Sequence, residues 1–534
     1  MIRFLHHKTQ WVFPILLWLP TAALAEVRVP GFFNHHMVLQ RDMPVPVWGR
    51  ADPGEMVKVS FAGQEHETRT GDDGTWMVKL NPLKASAEGR LLTAGETRIE
   101  DVVVGEVWIC SGQSNMQFRV DKALNAEQEI AAADYPGIRQ LNMNRTAAYL
   151  PNTDADGEWS VCSPGTAGKY TAVGYYFARK LYKELKIPIG LIDASWGGTG
   201  VEPWIPEAGY RMIPELNKQL EELEFGLPAS PAGKEKWERY LDGIEQWLPG
   251  AGRQVARGKL PVNIPARPGR LPATHHGLTK IYNAVINPLI PYAIRGTIWY
   301  QGESSWGHGP HYFYLKQGLI EGWRARWNQP PASARTMPGR DFSFYTVQLA
   351  NLHPYNQKPE GGDGYARIRE AQRRCLELSN TGLAVTYDIG NPTDIHPKNK
   401  QDVGLRLALW ALAKDYGKEV VYSGPLFERI EIKGNEAHIH FTCTGSGLMA
   451  GNKDGPGPAQ AVQTKLEGFA VAGSDKKWHW AEAKITPDGK SLIVTSAQVS
   501  EPAAVRYAYR WNPFHSNLYN KEGLPAAPFR TDDW

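Results

Sequence analysis

Residues 105–118 read Gly-Glu-Val-Trp-Ile-Cys-Ser-Gly-Gln-Ser-Asn-Met-Gln-Phe, an apolar run that ends in a small-residue turn presenting Ser114. A serine hydroxyl is a weak nucleophile until a base takes its proton and fixed donors receive the charge formed on the attacked carbonyl. The chain carries residues for both tasks far downstream. Asp394-Ile395-His396-Pro397 offers an imidazole base, His396, and a carboxylate, Asp394, to orient it. Asp388 rivals Asp394 for the orienting role, because it too ends a predicted strand. Gly197-Gly198 offers backbone N–H groups, and Gln301 in Trp299-Tyr300-Gln301-Gly302-Glu303 offers a side-chain amide. Asn115 and Glu303 stand beside these residues as supporting polar groups. Taken singly, each motif has a plainer reading: a helix-capping Ser, a loop His beside a capping Asp, a turn held by Gln and Glu. Together they read as a serine esterase.

Residues placed so far apart must be brought together by a regular scaffold. Apolar runs at 102–110, 187–196, 294–300, 342–349 and 383–388 predict strands. Helical spacing marks 171–186, 278–290, the Tyr312/Leu315/Leu319/Trp323 stripe, 366–378 and 399–416 between and after them. Strands alternating with helices predict an α/β unit with a mainly parallel sheet covered on both faces. The candidate residues all fall just past the carboxyl ends of strands, where open α/β sheets bind ligands. Residues 26–104 read instead as short strands and turns, a small β-sandwich-like unit, and 417–534 as a closing β domain. The α/β unit then spans 105–416. Residues 207–275, a charged helical stretch and a Pro/Gly/Arg-rich loop, interrupt its alternation as an insertion near the rim of the site. Arg367, Arg369, Arg373 and Arg374 share one predicted helix and are expected on a solvated, salt-bridged face.

The chain has 59 basic and 56 acidic residues in 534, and no long run of one sign, which disfavours a nucleic-acid partner. Its 19 tryptophans fit core filling more readily than sugar stacking. Residues 1–25 have the form of a signal peptide: Arg3 and Lys8, a short apolar stretch, then Ala23-Leu24-Ala25. The expected product is an exported protein beginning at Glu26, periplasmic or extracellular, with no membrane span after cleavage. Cys110, Cys162, Cys375 and Cys443 show no zinc spacing, and buried free thiols are expected. If one bridge forms in the oxidising compartment, Cys110–Cys162 is the expected pair. His275-His276 lacks the further ligands of a metal site, and none is expected.

These stretches, with Val38-Leu39-Gln40-Arg41, Ser195-Trp196-Gly197-Gly198-Thr199, Arg369-Glu370-Ala371-Gln372 and Asp394 to Lys400, resemble the sialate O-acetylesterase family, a branch of the SGNH hydrolases. The resemblance covers nearly the whole chain after residue 25. It implies a three-layer α/β/α domain flanked by N- and C-terminal β domains, no cofactor, and hydrolysis of O-acetyl esters on sugars. It also implies Ser114 as nucleophile, His396 as base with Asp394 as its partner, and an oxyanion hole of the Ser114 and Gly198 N–H groups with Gln301. Two departures from the superfamily stand out: Asp precedes His by two residues rather than three, and Gln301 replaces an Asn donor. The expected partner is an acetylated carbohydrate, with acetylated xylan or another polysaccharide as the alternative substrate. Two other readings compete: a catalytically silent carbohydrate-binding relative, and a glycosidase using Glu303 with a second carboxylate.

Overall fold

The computed structural model describes residues 27–267, 274–328 and 341–534. The expected leader lies outside the described residues. Six strands precede the α/β unit: β1 (Val38–Gln40), β2 (Val45–Arg50), β3 (Met56–Phe61), β4 (Gln64–Arg69), β5 (Thr75–Leu80) and β6 (Ser86–Ala94). The next strand, β7 (Thr97–Gly112), pairs with β1 and β6 at its start and then enters the central sheet, so positions 104 and 105 lie within one unbroken strand.

The central sheet continues with β8 (Tyr135–Met143), β9 (Gly157–Cys162), β10 (Ile189–Ser195), β11 (Gly296–Tyr300), β12 (Ser343–Val347) and β13 (Thr381–Ala384), in spatial order β13-β12-β11-β7-β10-β8-β9. The sheet is mixed. The β13-β12, β12-β11, β11-β7, β7-β10 and β10-β8 pairs are parallel, and β8-β9 is antiparallel. Every residue of β10, β11 and β12 is buried, as strands covered on both faces require.

Register decides which side chains face which helices. Gly296 pairs with Trp108 and Trp299 with Ser111, so Trp108 and Trp299 project to opposite faces. On one face Trp108 meets Phe177 of the Ala172–Leu185 helix edge-on at 5.0 Å, and that helix packs against Lys400–Lys414. On the other, Trp299 meets Trp323 of the Tyr312–Trp327 helix and Trp204 edge-on. Removing a buried aromatic of this size costs about 3–5 kcal/mol, so these contacts hold the layers in place. The N-terminal strands are tied to the sheet by polar chemistry as well. Fully buried Glu106 accepts from Arg295 (2.6 and 3.0 Å), Arg41 (2.5 Å) and Gln40 (3.0 Å), and Gln40 Oε1 accepts the Val107 N–H. That network accounts for the Val38-Leu39-Gln40-Arg41 motif.

Several expectations change. The strands β8 and β9 were not foreseen, because neither is a continuous apolar run. The helix expected at 278–290 is a π-turn, Tyr282–Ile286, followed by a 3-10 turn, Asn287–Leu289, since Pro288 and Pro291 cannot donate the hydrogen bonds an α-helix needs. The pair Cys110–Cys162 is not bonded; all four cysteines are free thiols. Two strands, β10 and β8, separate β7 from β9, which puts the thiols roughly 14 Å apart at ordinary strand spacing, beyond disulfide reach. Arg369 is also corrected: it is fully buried rather than solvated, while Arg373 and Arg374 pair with Glu370 and Glu377 as expected.

The insertion contains the helices Asn217–Gly226 and Pro231–Ala256, the latter capped by Ser230, whose hydroxyl accepts the Gly233 N–H at 2.9 Å. At its end His275 stacks on Trp196 at 4.3 Å. The C-terminal region folds as separate antiparallel sheets, including Leu426–Lys433, Glu436–Thr442, Ser491–Thr495 and Glu482–Ile485. Its apolar core takes in Leu383, Val385 and Tyr387 from the edge of the central sheet. Among the described residues no helix is long and apolar enough to cross a membrane.

Candidate active site

The turn that presents Ser114 is built by close backbone contact. Gly112 has φ 131°, and a Cβ there would lie 2.1 Å from the Tyr300 carbonyl oxygen, so no other residue fits. The Gln113 N–H donates to the same carbonyl at 2.9 Å. A short helix, Ser114–Gln117, starts at once, and Thr171 Oγ1 donates to the Met116 carbonyl at 2.5 Å to anchor it. The loop after β10 docks beside this turn: the Trp196 N–H donates to Gly112 O at 3.0 Å and the Gly197 N–H to Gln117 Oε1 at 2.8 Å.

His396 reaches the same spot from the loop between β13 and the Lys400–Lys414 helix. Its Nε2 lies 2.8 Å from Ser114 Oγ, across 282 positions of sequence. Asp394 Oδ1 accepts the His396 backbone N–H at 2.8 Å and stands 3.8 Å from Nδ1, close enough for charge attraction but longer than a hydrogen bond. Asp388 is elsewhere: both its oxygens are held by Arg406 at 2.7 Å. Burial holds the His396 imidazole below its ordinary value, the Lys400 cation adds to that, and Asp394 opposes it.

The donor candidates divide. Gly198 is exposed with φ 76°, a left-handed conformation suited to glycine, and among the described residues no acceptor meets its N–H. The Ser114 N–H belongs to the first turn of its helix, where backbone donors lack intrahelical acceptors. Gln301 is a correction. It is fully buried, and its amide nitrogen is held by Gln113 Oε1 (3.1 Å), the Thr199 carbonyl (3.2 Å) and Ser305 Oγ (2.9 Å). Its own oxygen accepts Tyr312 O–H at 2.8 Å. An amide with two hydrogens and three internal acceptors has none left for the pocket. Gln301 therefore braces the Ser114 turn against the Gly197–Thr199 loop.

Ser114 and His396 open into a pocket of about 390 Å³, lined also by Arg119, Lys122, Arg145, Lys169 and Asp193. The cations are exposed. Arg119 pairs with Asp121, and Arg145 Nε donates to the Ser195 carbonyl at 2.9 Å, whereas Lys122 and Lys169 have no ion-pair partner among the described residues. Asp193 is buried at the pocket floor, accepts the Ser195 hydroxyl at 2.5 Å, and is pushed up to about 6 by burial.

The sequence reading passed over Lys400 and these basic residues. Lys400 had a signal: it opens a helix behind the capping Asn399, where a cation is disfavoured by the helix dipole and needs a local reason. The pocket cations come from three separate segments, and no single stretch is basic enough to flag them.

The profile of the carbohydrate esterase, sialic acid-specific acetylesterase family matches residues 104–225. Sialate O-acetylesterase of Homo sapiens is 30% identical over 560 residues, covering 97% of this chain and 95% of that protein. The Rattus norvegicus sialate O-acetylesterase is 30% identical over 544 residues, 94% of each chain. A crystal structure of a carbohydrate acetylesterase from Xanthomonas citri superposes with a TM-score of 0.76 at 33% identity, covering 95% of this chain and 100% of that one. With likeness of this extent running from the N-terminal strands to the C-terminal sheets, this chain belongs to the sialate O-acetylesterase family.

Proposed function

We propose that this protein removes O-acetyl groups from an acidic sugar through an acetyl-serine intermediate. The observation that carries the reading is the 2.8 Å contact of Ser114 Oγ with His396 Nε2 at the mouth of the pocket. Ser114 Oγ attacks the acetyl carbonyl as His396 takes its proton. The oxyanion rests against the Ser114 and Gly198 N–H groups. Collapse expels the sugar oxygen, which receives the proton from His396, and leaves acetate esterified to Ser114. Water, deprotonated by His396, then attacks that ester and releases acetate. Asp394 favours the imidazolium formed in each step through its charge. In this reading the unit 105–416 carries the chemistry, and the chain acts outside the cytoplasm after loss of residues 1–25.

The four cations around the pocket support an anionic substrate, since a carboxylate on the sugar ring would meet them while its acetyl group faces Ser114. Acetate release should therefore be at least tenfold faster (kcat/KM) from 9-O-acetylated sialic acid than from acetylated xylan or mannan, with the preference shrinking as salt rises. Equal or faster hydrolysis of the neutral polysaccharides would refute the acidic-sugar assignment while leaving an esterase.

The pH profile follows from the base. Catalysis needs neutral His396, and its pKa is depressed, so the acid limb of kcat/KM should fall below pH 6.5. Activity is lost as pH drops through that lowered value. A limb above pH 7 on an uncharged ester would contradict the assignment of His396.

A further inference from the structure

Behind the Ser114–His396 contact lies a buried polar chain. Asn115, the residue after Ser114, is buried, and its amide nitrogen donates to Glu303 Oε1 at 2.5 Å and to the carbonyl of Ile395 at 2.9 Å. Ile395 is the residue before His396. The Asn115 oxygen accepts from Lys400 Nζ at 2.5 Å. Lys400 is fully buried, with the faces of Phe118 and Tyr300 4.8 and 5.2 Å from its nitrogen. Glu303 is buried as well, and its second oxygen has no hydrogen-bond partner among the described residues. A cation at one end of the Asn115 amide and a carboxylate at the other fix which way the amide points.

We propose that Lys400, Asn115 and Glu303 are positioning residues that clamp the nucleophile turn to the base loop. The proposal rests on the catalytic reading above. One amide touches the segments on either side of the reacting pair, so loss of its partners lets the two loops separate. Removing Lys400 leaves the Asn115 oxygen without its donor, and removing the charge of Glu303 takes away the larger of the two negative charges that favour the buried Lys400 cation.

The charged and titratable groups facing His396 from the elements around it are few. Asp394 lies on its own loop, and Lys400 opens the following helix. Arg119, Lys122, Arg145, Lys169 and Asp193 line the pocket before it, and Glu303 lies behind Asn115. Lys400 opposes the imidazolium and Asp394 favours it. Lys400 is itself lowered to about 7 by burial, with Glu303 and Asp394 working against the fall.

The test uses Lys400→Met, which keeps the stem and removes the charge, and Glu303→Gln, which keeps an acceptor for Asn115 and removes the opposite charge. Lys400→Met should lower kcat by about 10- to 100-fold with KM within about threefold, and move the acid limb of kcat/KM to higher pH by about half a unit or more. Glu303→Gln, which takes from Lys400 its buried carboxylate, should lower kcat by about tenfold with KM within about threefold. Imidazole NMR titration of His396 in a Ser114→Ala background should show the upward shift of Lys400→Met without relying on turnover. If Lys400→Met does not fold, the Glu303→Gln arm decides the matter alone. An unmoved limb and NMR titration in folded Lys400→Met, or an unchanged kcat in folded Glu303→Gln, would overturn the clamp while leaving the esterase reading intact. Persistent hydrolysis by Ser114→Ala would fail that reading instead, and the NMR shifts would then stand independently.

Discussion

Ser114→Ala abolishes acetate release, lowering kcat by about 10⁴-fold or more, while the fold survives. Removing the nucleophile of such a set leaves only the contribution of binding and oxyanion donors. Among the described residues the Ser114 side chain makes one hydrogen bond, to His396, and supports no buried group. The melting temperature should therefore stay within about 2 °C of the parent. His396→Ala should cost about as much, and the double variant little more than either, because nucleophile and base act as a unit. Asp394→Asn should cost far less, about tenfold. Its carboxylate is half exposed and sits 3.8 Å from Nδ1, so solvent screens much of its attraction for the imidazolium. Acetate release by pH-stat on an acetylated sugar, with circular dichroism melts alongside, separates these outcomes. Hydrolysis by Ser114→Ala above a hundredth of the parent rate would refute the assignment.

What the sequence disclosed about the site follows from what strand ends look like. A buried strand is a continuous apolar run, and the polar residue at its carboxyl end stands out against it, which is how Ser114, Gly198 and Gln301 came to notice. His396 was visible because a loop imidazole beside an acid is chemically suggestive. Partnership was not visible. Gln301 is the right residue type for an oxyanion donor, yet its hydrogens go to Gln113, Thr199 and Ser305, and only coordinates reveal that competition. Asp388 and Asp394 were equivalent on paper; Arg406, 18 residues from Asp388 and one helix turn past Asp402, removes the first. The strands β8 and β9 escaped because polar residues interrupt their apolar pattern, buried Arg139 and Gln140 in β8 and the exposed Glu158 in the edge strand β9. Lys400 escaped because a lysine is read as solvated unless packing shows otherwise.

Arg369→Met destabilises the protein by about 3–5 kcal/mol and lowers its melting temperature by several degrees, without touching the reacting groups. On the sequence it is one of four arginines on a helix and looks like a surface charge. In the fold its guanidinium is fully buried and, among the described residues, faces no carboxylate within hydrogen-bond reach. Nε donates to Leu349 O at 2.7 Å, Nη1 to Arg510 O at 2.7 Å, and Nη2 to Ala350 O at 2.6 Å and Trp511 O at 3.0 Å. Burial without an anion pulls it down to about 10, so it remains charged at neutral pH. Its fork thus joins the chain leaving β12 to a segment more than 140 positions later in the C-terminal region. Gln372, one turn on, adds two more links, accepting from the Leu349 N–H and donating to the Gln301 carbonyl. Methionine fills much of the same volume but leaves three buried carbonyls and one partly buried carbonyl without this donor. Lysine should recover less than half the loss, because an ammonium cannot reach all four carbonyls from one point in the plane a guanidinium spans. Differential scanning calorimetry of the three proteins tests this, and a methionine variant melting within 1 °C of the parent would show that water replaces the guanidinium at no cost. If the loss appears as expected, the Arg369-Glu370-Ala371-Gln372 motif is explained by scaffolding alone: it holds the strand ends from which Gln301 braces Ser114, and need never meet the substrate.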